Sequence, residues 1–419
     1  MRLVERHIIT PEHRDFKELD AMAFGSKNLY NATLYQVRQN FFATEGLLTY
    51  NELQKRFQSE GQADYRGLPA KVSQWTMKMV FQNFKSFFKA LASYKEHPEK
   101  FKESPRIPKY LDKKNGRYLL TYTIQAISKR EAVEDRVIHL SGSNVRFRTN
   151  VPYGCINQVR VVRKTGHYVI EVVYTCDFAM PPKEDNGRYA AIDLGVDNFA
   201  TVTSNVRGLR PWIISGREIK SANRYFNKEI GKAKSLLSIR NGSKTSERIQ
   251  RLWLKRSNIM DDFMHKASRH VVNQLVSDGI NTLIVGKNDG WKQDANMGSR
   301  NNQNFTAIPH SRFISMLRYK CEMAGITLIE QEESYTSKAS FLDLDPIPVY
   351  GEKDSENVEF SGYRRHRGMY MRKDGKGEIN ADVNGSYNIL RKCKPEAFAE
   401  GVVGLVVVPA LIKRADLLQ

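Results

Sequence analysis

The chain lacks what would place it in a membrane or hold it together with metal-bound cysteines. No apolar run approaches the roughly 20 residues that a bilayer span needs. The best candidate, residues 402–412, is short and carries Pro409, so it is expected to be a buried segment. The opening Met1-Arg-Leu-Val-Glu-Arg-His has no signal-peptide pattern. Cysteine is scarce: Cys155, Cys176, Cys321 and Cys393 are scattered over 419 residues and form no C-x-x-C pair. That spacing argues against a zinc site built on Cys pairs, and isolated thiols fit the reducing cytoplasm. Acid is also in short supply. Lys and Arg number 66 against 46 Asp and Glu, a net charge of +20. Such an excess favours a polyanionic partner, with nucleic acid the first candidate and a membrane surface the rival.

What is present is a chain long enough for about three domain-sized units, with 41% hydrophobic residues to build their cores. Residues 1–15 read as a short strand ended by Pro11. Residues 16 to about 97 place apolar side chains three and four apart, as in Val72-Ser-Gln-Trp-Thr-Met-Lys-Met-Val-Phe81, and predict helices. From about 117 to 180 the period changes to two, with a hairpin turn at Lys164-Thr-Gly166. Pro181-Pro-Lys-Glu-Asp-Asn-Gly187 reads as a linker. Residues 219–278 predict long basic helices carrying Lys232, Lys234, Arg248, Arg251, Lys255 and Arg256. A charge run is usually a solvated face; the scarcity of matching acids here favours phosphate. Strands at 281–286 and 326–332 flank a helix at 309–323, the alternation of an α/β sheet. Residues 341–380 look irregular and basic, with Arg364, Arg365 and Arg367.

Two acids stand out. Asp193 interrupts the apolar strand Tyr189-Ala-Ala-Ile-Asp-Leu194, which Gly195 ends before a second apolar run returns. A carboxylate inside a buried strand is costly unless it is paired or binds a metal. Asp382 opens an amphipathic helix whose small polar residues allow a close approach. Together they suggest a divalent-metal site for phosphodiester chemistry.

Four segments follow one another in a distinctive order: Ala191-Ile-Asp-Leu-Gly195, Phe263-Met-His-Lys-Ala-Ser-Arg-His270, Ser334-Tyr-Thr-Ser-Lys-Ala-Ser340 and Ala381-Asp-Val-Asn-Gly-Ser-Tyr-Asn-Ile-Leu390. In that order they resemble the split RuvC nuclease domain of TnpB, the transposon-encoded RNA-guided nuclease, and of the compact type V CRISPR effectors. The resemblance implies an α/β RNase H-like (RuvC) domain over 188–340 and 378–395. It also implies a helical recognition unit over 16–104 and a β-rich, oligonucleotide-binding-like wedge over 1–15 and 105–182. Residues 341–377 would be an irregular basic insert in place of the zinc ribbon, and 396–419 a C-terminal tail.

The chain departs from the family's pattern twice. Gly286 stands where the second motif has a catalytic Glu, and the zinc-ribbon cysteines are missing. Neighbouring strands lie about 4.8 Å apart, so a carboxylate ending the next strand, Ile329-Glu-Gln-Glu-Glu333, can replace the missing one. Glu332 and Glu333 face opposite ways; Glu333 shares its face with Ile329 and is preferred.

The implied chemistry uses two Mg²⁺ (or Mn²⁺) ions and no zinc. Asp193 would bridge the ions, Asp382 and Glu333 would hold one each, and Tyr335, Ser337 and Asn384 would lie nearby. The implied partners are a guide RNA and target double-stranded DNA, in a prokaryotic cytoplasm and acting at the nucleoid, with no membrane. A nuclease-inactive repressor on the same scaffold is the alternative. A transposase is a third reading, for which no nucleophilic Tyr or Ser motif is visible.

Overall fold

The computed structural model describes residues 1–44, 46, 48–175, 180–240, 245–287, 303, 305–349, 351, 358–366 and 368–418. The chain divides into two units, Met1–Asp177 and Phe178–Gln419.

In the first unit the change of hydrophobic period becomes a change of element. Strand β1 (Arg2–Ile9) precedes helices α1 (Phe16–Thr44), α2 (Tyr50–Ser59), α3 (Ala63–Arg66) and α4 (Ala70–Glu96). Thr49 and Glu52 form a reciprocal capping box on α2, which satisfies two backbone donors the helix start would leave open. Strands β2 (Leu120–Thr123), β5 (Ile156–Lys164) and β6 (His167–Thr175) join β1 in an antiparallel sheet of order β1-β6-β5-β2. The β5–β6 hairpin closes at Thr165-Gly166, where Lys164 pairs with His167. Helix α5 (Lys129–Glu134) and the short ladder of β3 (Val137–His139) with β4 (Arg146–Arg148) complete the unit. Leu34, Val80, Phe84, Tyr122, Val161 and Ile170 meet in one core. Asp20 on α1 accepts from Arg117, Arg163 and Tyr168, which ties that helix to the sheet.

The second unit is mixed α/β. Strands β7 (Tyr189–Leu194), β8 (Asn198–Ser204), β9 (Trp212–Ser215), β10 (Thr282–Gly286), β11 (Thr327–Gln331) and β15 (Ala410–Ile412) form one sheet of order β11-β10-β7-β8-β9-β15. The β7–β8–β9 meander is antiparallel, and β10, β11 and β15 add in parallel. One apolar face packs on α7 (Glu247–Ser277) and α8 (His310–Ala324) through Phe199, Val202, Phe263, Val271, Phe313 and Leu317. The other carries α9 (Ala381–Cys393), with Ala191, Ile284, Val383 and Ile389 in a second core. Helix α6 (Arg217–Arg240) pairs with α7 through Phe226, Ile230, Ala233 and Ile249.

Three expectations need correction. Residues 341–377 are not wholly irregular. Strands β12 (Gly362–His366) and β13 (Met369–Arg372) form a hairpin, and β14 (Glu378–Asn380) extends it into a three-stranded antiparallel sheet. Buried Asp345 anchors this sheet: it accepts from Ser340 N at 2.8 Å, Ser361 N at 2.9 Å and Ser361 Oγ at 2.5 Å. A carboxylate with several acceptor positions thus joins two chain segments. Residues 396–419 are not a tail either, because β15 pairs with β9. The stretch 402–412 is less buried than expected, with Val403 83% and Val408 62% exposed. No described helix is long and apolar enough to cross a membrane.

Candidate active site

The site forms where the parallel strands end. Val285 on β10 pairs with Ile192 on β7, so the next residues, Gly286 and Asp193, come to the same end of the sheet. On the other side Gly286 pairs with Gln331, and Glu333 lies two residues beyond it. Two residues along an extended chain restore the same face. A Cβ built on Gly286 would lie 2.5 Å from Glu333 Oε2 and 2.6 Å from Ile389 Cδ1. The Glu333 carboxyl therefore occupies space that only a glycine at 286 leaves free.

Helix α9 supplies the other wall. Ser386 Oγ donates to the Ala191 carbonyl at 3.0 Å and meets Thr203 Oγ1 at 2.9 Å, seating the helix on β7 and β8. A Cβ on Gly385 would fall 2.8 Å from Asp193 Oδ2, so this glycine lets the helix approach the carboxylate. Asn380 caps the helix by accepting from Asp382 N and Val383 N, which fixes Asp382 in the first turn. Asp382 Oδ2 accepts from Asn198 Nδ2 at 2.6 Å, and its Oδ1 from Arg364 at 3.0 Å.

The acids act on one another. Burial first, then Glu333 and Asp382, push Asp193 far above the usual carboxylate range, while Arg364 pulls the other way. Burial first, then Glu332, lift Glu333 to about 7 from 4.5. Glu332 moves oppositely. Burial tends to raise it, but Lys392 and Ser334 outweigh that and hold it low. Its contacts are Lys392 Nζ at 2.5 Å and Ser334 N at 2.6 Å. Glu332 is therefore committed to an ion pair, and Glu333 faces the other acids.

These shifts have a measurable consequence. A raised carboxyl pKa stabilises the fold while the group is protonated. The contribution is whole below 4.5 and is lost as pH rises through about 7. Denaturation of the protein in chelator between about pH 5 and about pH 8 is expected to show wild type losing stability relative to Glu333→Gln. Parallel curves would contradict the burial of a shared charge.

The remaining site candidates divide. Asn384 is a buried brace, not a substrate contact: its Oδ1 accepts from Phe341 N and its Nδ2 donates to Ala339 O. Tyr335 adopts a left-handed backbone, φ 65°, in the tight turn after Glu333. Lys338 stands 5.4 Å from its ring centre, and Ser337 is exposed. Arg256 is also a correction to the nucleic-acid set. It is half-buried, donates to Asn223 Oδ1 and Ala307 O, and lies over Phe226 and Trp253. Lys232 and Arg248 share Glu229, and Arg251 pairs with Glu247 on its own helix. These exposed pairs are weak enough to exchange for phosphate. Lys234 and Lys255 are exposed. Arg365 is exposed and reaches Met371 Sδ. Arg367 and Cys176 lie outside the described residues.

The contribution of Asn198 and the pairing of Arg364 with Asp382 are absent from the sequence reading. Asn198 sits in the return strand five residues after Asp193, a polar opening to an apolar run that offers a signal.

The donor set is carboxylate oxygen, which suits hard divalent cations such as Mg²⁺ and Mn²⁺. Gly286 and Gly385 let the carboxylates in, since a Cβ at either would fall 2.5 Å from Glu333 Oε2 or 2.8 Å from Asp193 Oδ2. Among the described residues no three His, Cys, Asp or Glu side chains stand ready as one metal cluster.

Two family models and several solved structures are similar to the chain. The model of a family described as probable transposase (OrfB_IS605, the TnpB family) matches residues 162–292. The model of the Cas12f1-like TNB domain matches residues 310–389. Two separate stretches of the chain, 162–292 and 310–389, thus match the sequence models of the TnpB and Cas12f1-like families. A cryo-EM structure of a Cas12f1–sgRNA–target DNA complex is similar over 92% of this chain and 98% of that one, at 12% identity and TM-score 0.35. The C2c1 protein of Alicyclobacillus acidoterrestris with single-guide RNA is similar over 90% and 70%, at 9% identity and TM-score 0.35. Scores this low carry no argument of their own, so the likeness rests on the two sequence models. No curated protein matches the chain. Glu333 is seated against Gly286, the position where the resemblance would place a glutamate.

Proposed function

We propose that this TnpB/Cas12f1-like protein is an RNA-guided DNA endonuclease with a RuvC-type site made of Asp193, Asp382 and Glu333. The observation that carries the reading is Glu333 seated over Gly286, which returns a third acid to the strand end where the family's glutamate is missing. The sheet order supports an RNase H-like domain. The helices of residues 16–104 serve as the recognition unit, and the sheet formed by β1 with β2, β5 and β6 as the wedge. A guide RNA lies on exposed basic surface, base pairing reads the target DNA, and the protein itself reads a short adjacent motif.

In such sites a pair of divalent ions supplies a water nucleophile at neutral pH and stabilises the leaving oxygen. Asp193, Asp382 and Glu333 would hold them. Asn198 orients Asp382, and the Ser386–Ala191 contact keeps α9 against the strand that carries Asp193. Asp193 and Glu333, whose carboxyls burial keeps raised, would have to lose their protons to hold such ions.

The test is cleavage of DNA matched to the guide, with Mg²⁺ or Mn²⁺ supplied. Cutting that needs the metal, the RNA and the match supports the reading. Tight target binding without cutting under either metal would favour the RNA-guided repressor, the reading that Gly286 in the second motif favours.

RNA binding carries its own expectation. With a net charge of +20, affinity for guide RNA is expected to fall more than about tenfold between roughly 50 and 200 mM salt, since each neutralised phosphate adds a slope of about 0.7 on single strands. Filter binding across a salt series reads it directly. A flat series would mean that the basic helices do not meet phosphate.

A further inference from the structure

We infer that Arg364 is a built-in counter-ion that competes with divalent cations for Asp382 and keeps the acidic site closed to them until it is displaced. The inference rests on the metal-site reading above and assigns a regulatory residue to that same site.

The placement of Arg364 is built, not incidental. It sits on β12 where the β12–β13 ladder slips register: Arg364 pairs with Tyr370, but His366, not Arg365, pairs with Met369. An extra residue at such a bulge re-aims its neighbours, and bulges are common beside active sites. The hairpin itself is fastened from three directions. Asp345 holds Ser361 at its start, Tyr370 Oη donates to the Lys338 carbonyl at 2.6 Å, and Arg372 pairs with Asp343 at 2.7 Å. Strand β14 then runs directly into the helix that carries Asp382. The small sheet thus presents the guanidinium, and its last strand leads into the helix that presents the carboxylate.

The charge logic follows. Each Asp382 oxygen already accepts one hydrogen bond, Oδ2 from Asn198 and Oδ1 from Arg364. A hard cation needs at least one of them. Asn198 is a neutral donor, whereas Arg364 supplies the positive charge that a cation would otherwise supply. Its charge also acts on Asp193. The Arg364 side chain is 44% exposed, so it has solvent to move into when a stronger cation arrives.

The experiment is Mn²⁺ titration of the full-length protein without nucleic acid, followed by calorimetry, on wild type, Arg364→Gln, Arg364→Lys and Asp382→Asn. Arg364→Gln is expected to bind Mn²⁺ about fivefold more tightly, the scale of an exposed ion pair that no longer has to be broken. Arg364→Lys keeps the charge and is expected to stay near wild type, which separates competition from a change of shape. Asp382→Asn is expected to weaken binding relative to wild type. Equal or weaker Mn²⁺ binding by Arg364→Gln, with Asp382→Asn still weakening it, overturns the counter-ion and leaves the nuclease reading standing. Mn²⁺ binding that none of the four proteins shows overturns the metal site, and the counter-ion with it.

Discussion

Glu333→Gln is expected to abolish target cleavage while guide and target binding stay within about twofold of wild type. Glutamine keeps the shape that fills the space above Gly286 and removes the charge that holds a cation. Metal stabilisation of the transition state is worth several kcal/mol, and each 1.36 kcal/mol is tenfold in rate, so the loss should exceed about 10³-fold. Asp193→Ala and Asp382→Ala are expected to give the same phenotype. Glu332→Gln is the internal control. It breaks the contact with Lys392, whose side chain is only 6% exposed, so it should lower thermal stability and leave cleavage largely intact. Loss of cleavage in Glu332→Gln with full activity in Glu333→Gln would reverse the assignment of the two acids.

The second large effect concerns Gly286. If one cavity serves one carboxylate, a glutamate at 286 and one at 333 exclude each other. Gly286→Glu alone places atoms 2.5 Å from Glu333 Oε2 and 2.6 Å from Ile389 Cδ1, and overpacking of this kind costs about 1–3 kcal/mol. It also adds a like charge to a desolvated acid group. The single variant is expected to be inactive and less stable. Adding Glu333→Ala removes the competing carboxyl and is expected to recover at least about tenfold of the activity lost by either single change, a coupling of about 1.4 kcal/mol between neighbours. Thermal melts and cleavage rates of the two singles and the double close the cycle. A double variant no better than Glu333→Ala would show that the two positions do not serve one site.

Much of this is legible in the sequence because it follows from local periodicity. The helices of residues 16–97, the Lys164-Thr-Gly166 hairpin and the strands around Asp193 are decided by which neighbours are apolar and where glycine permits a turn. The motif order of the second half likewise needs no coordinates. The basic insert escapes that pattern because β12 and β13 are short and β12 is exposed beyond its first residue: the burial that stabilises them comes from Tyr370 and from the distant anchor Asp345, which no local pattern announces. The 402–412 stretch misleads for the opposite reason. Its apolar run suggests burial, yet β15 is an edge strand and shares only part of its surface with the sheet.

The sequence by itself determined that position 286 carries no acid, and it left two adjacent glutamates as candidates for the proposed site. Tertiary structure gives the two different surroundings. Lys392, sixty residues away on α9, claims Glu332, and the parallel register of β10 with β11 sets Glu333 over Gly286. Both contacts depend on segments distant in sequence meeting at one sheet end. Charge pairing and steric exclusion across that distance leave no trace in the local spacing of residues, so only the folded chain could resolve them.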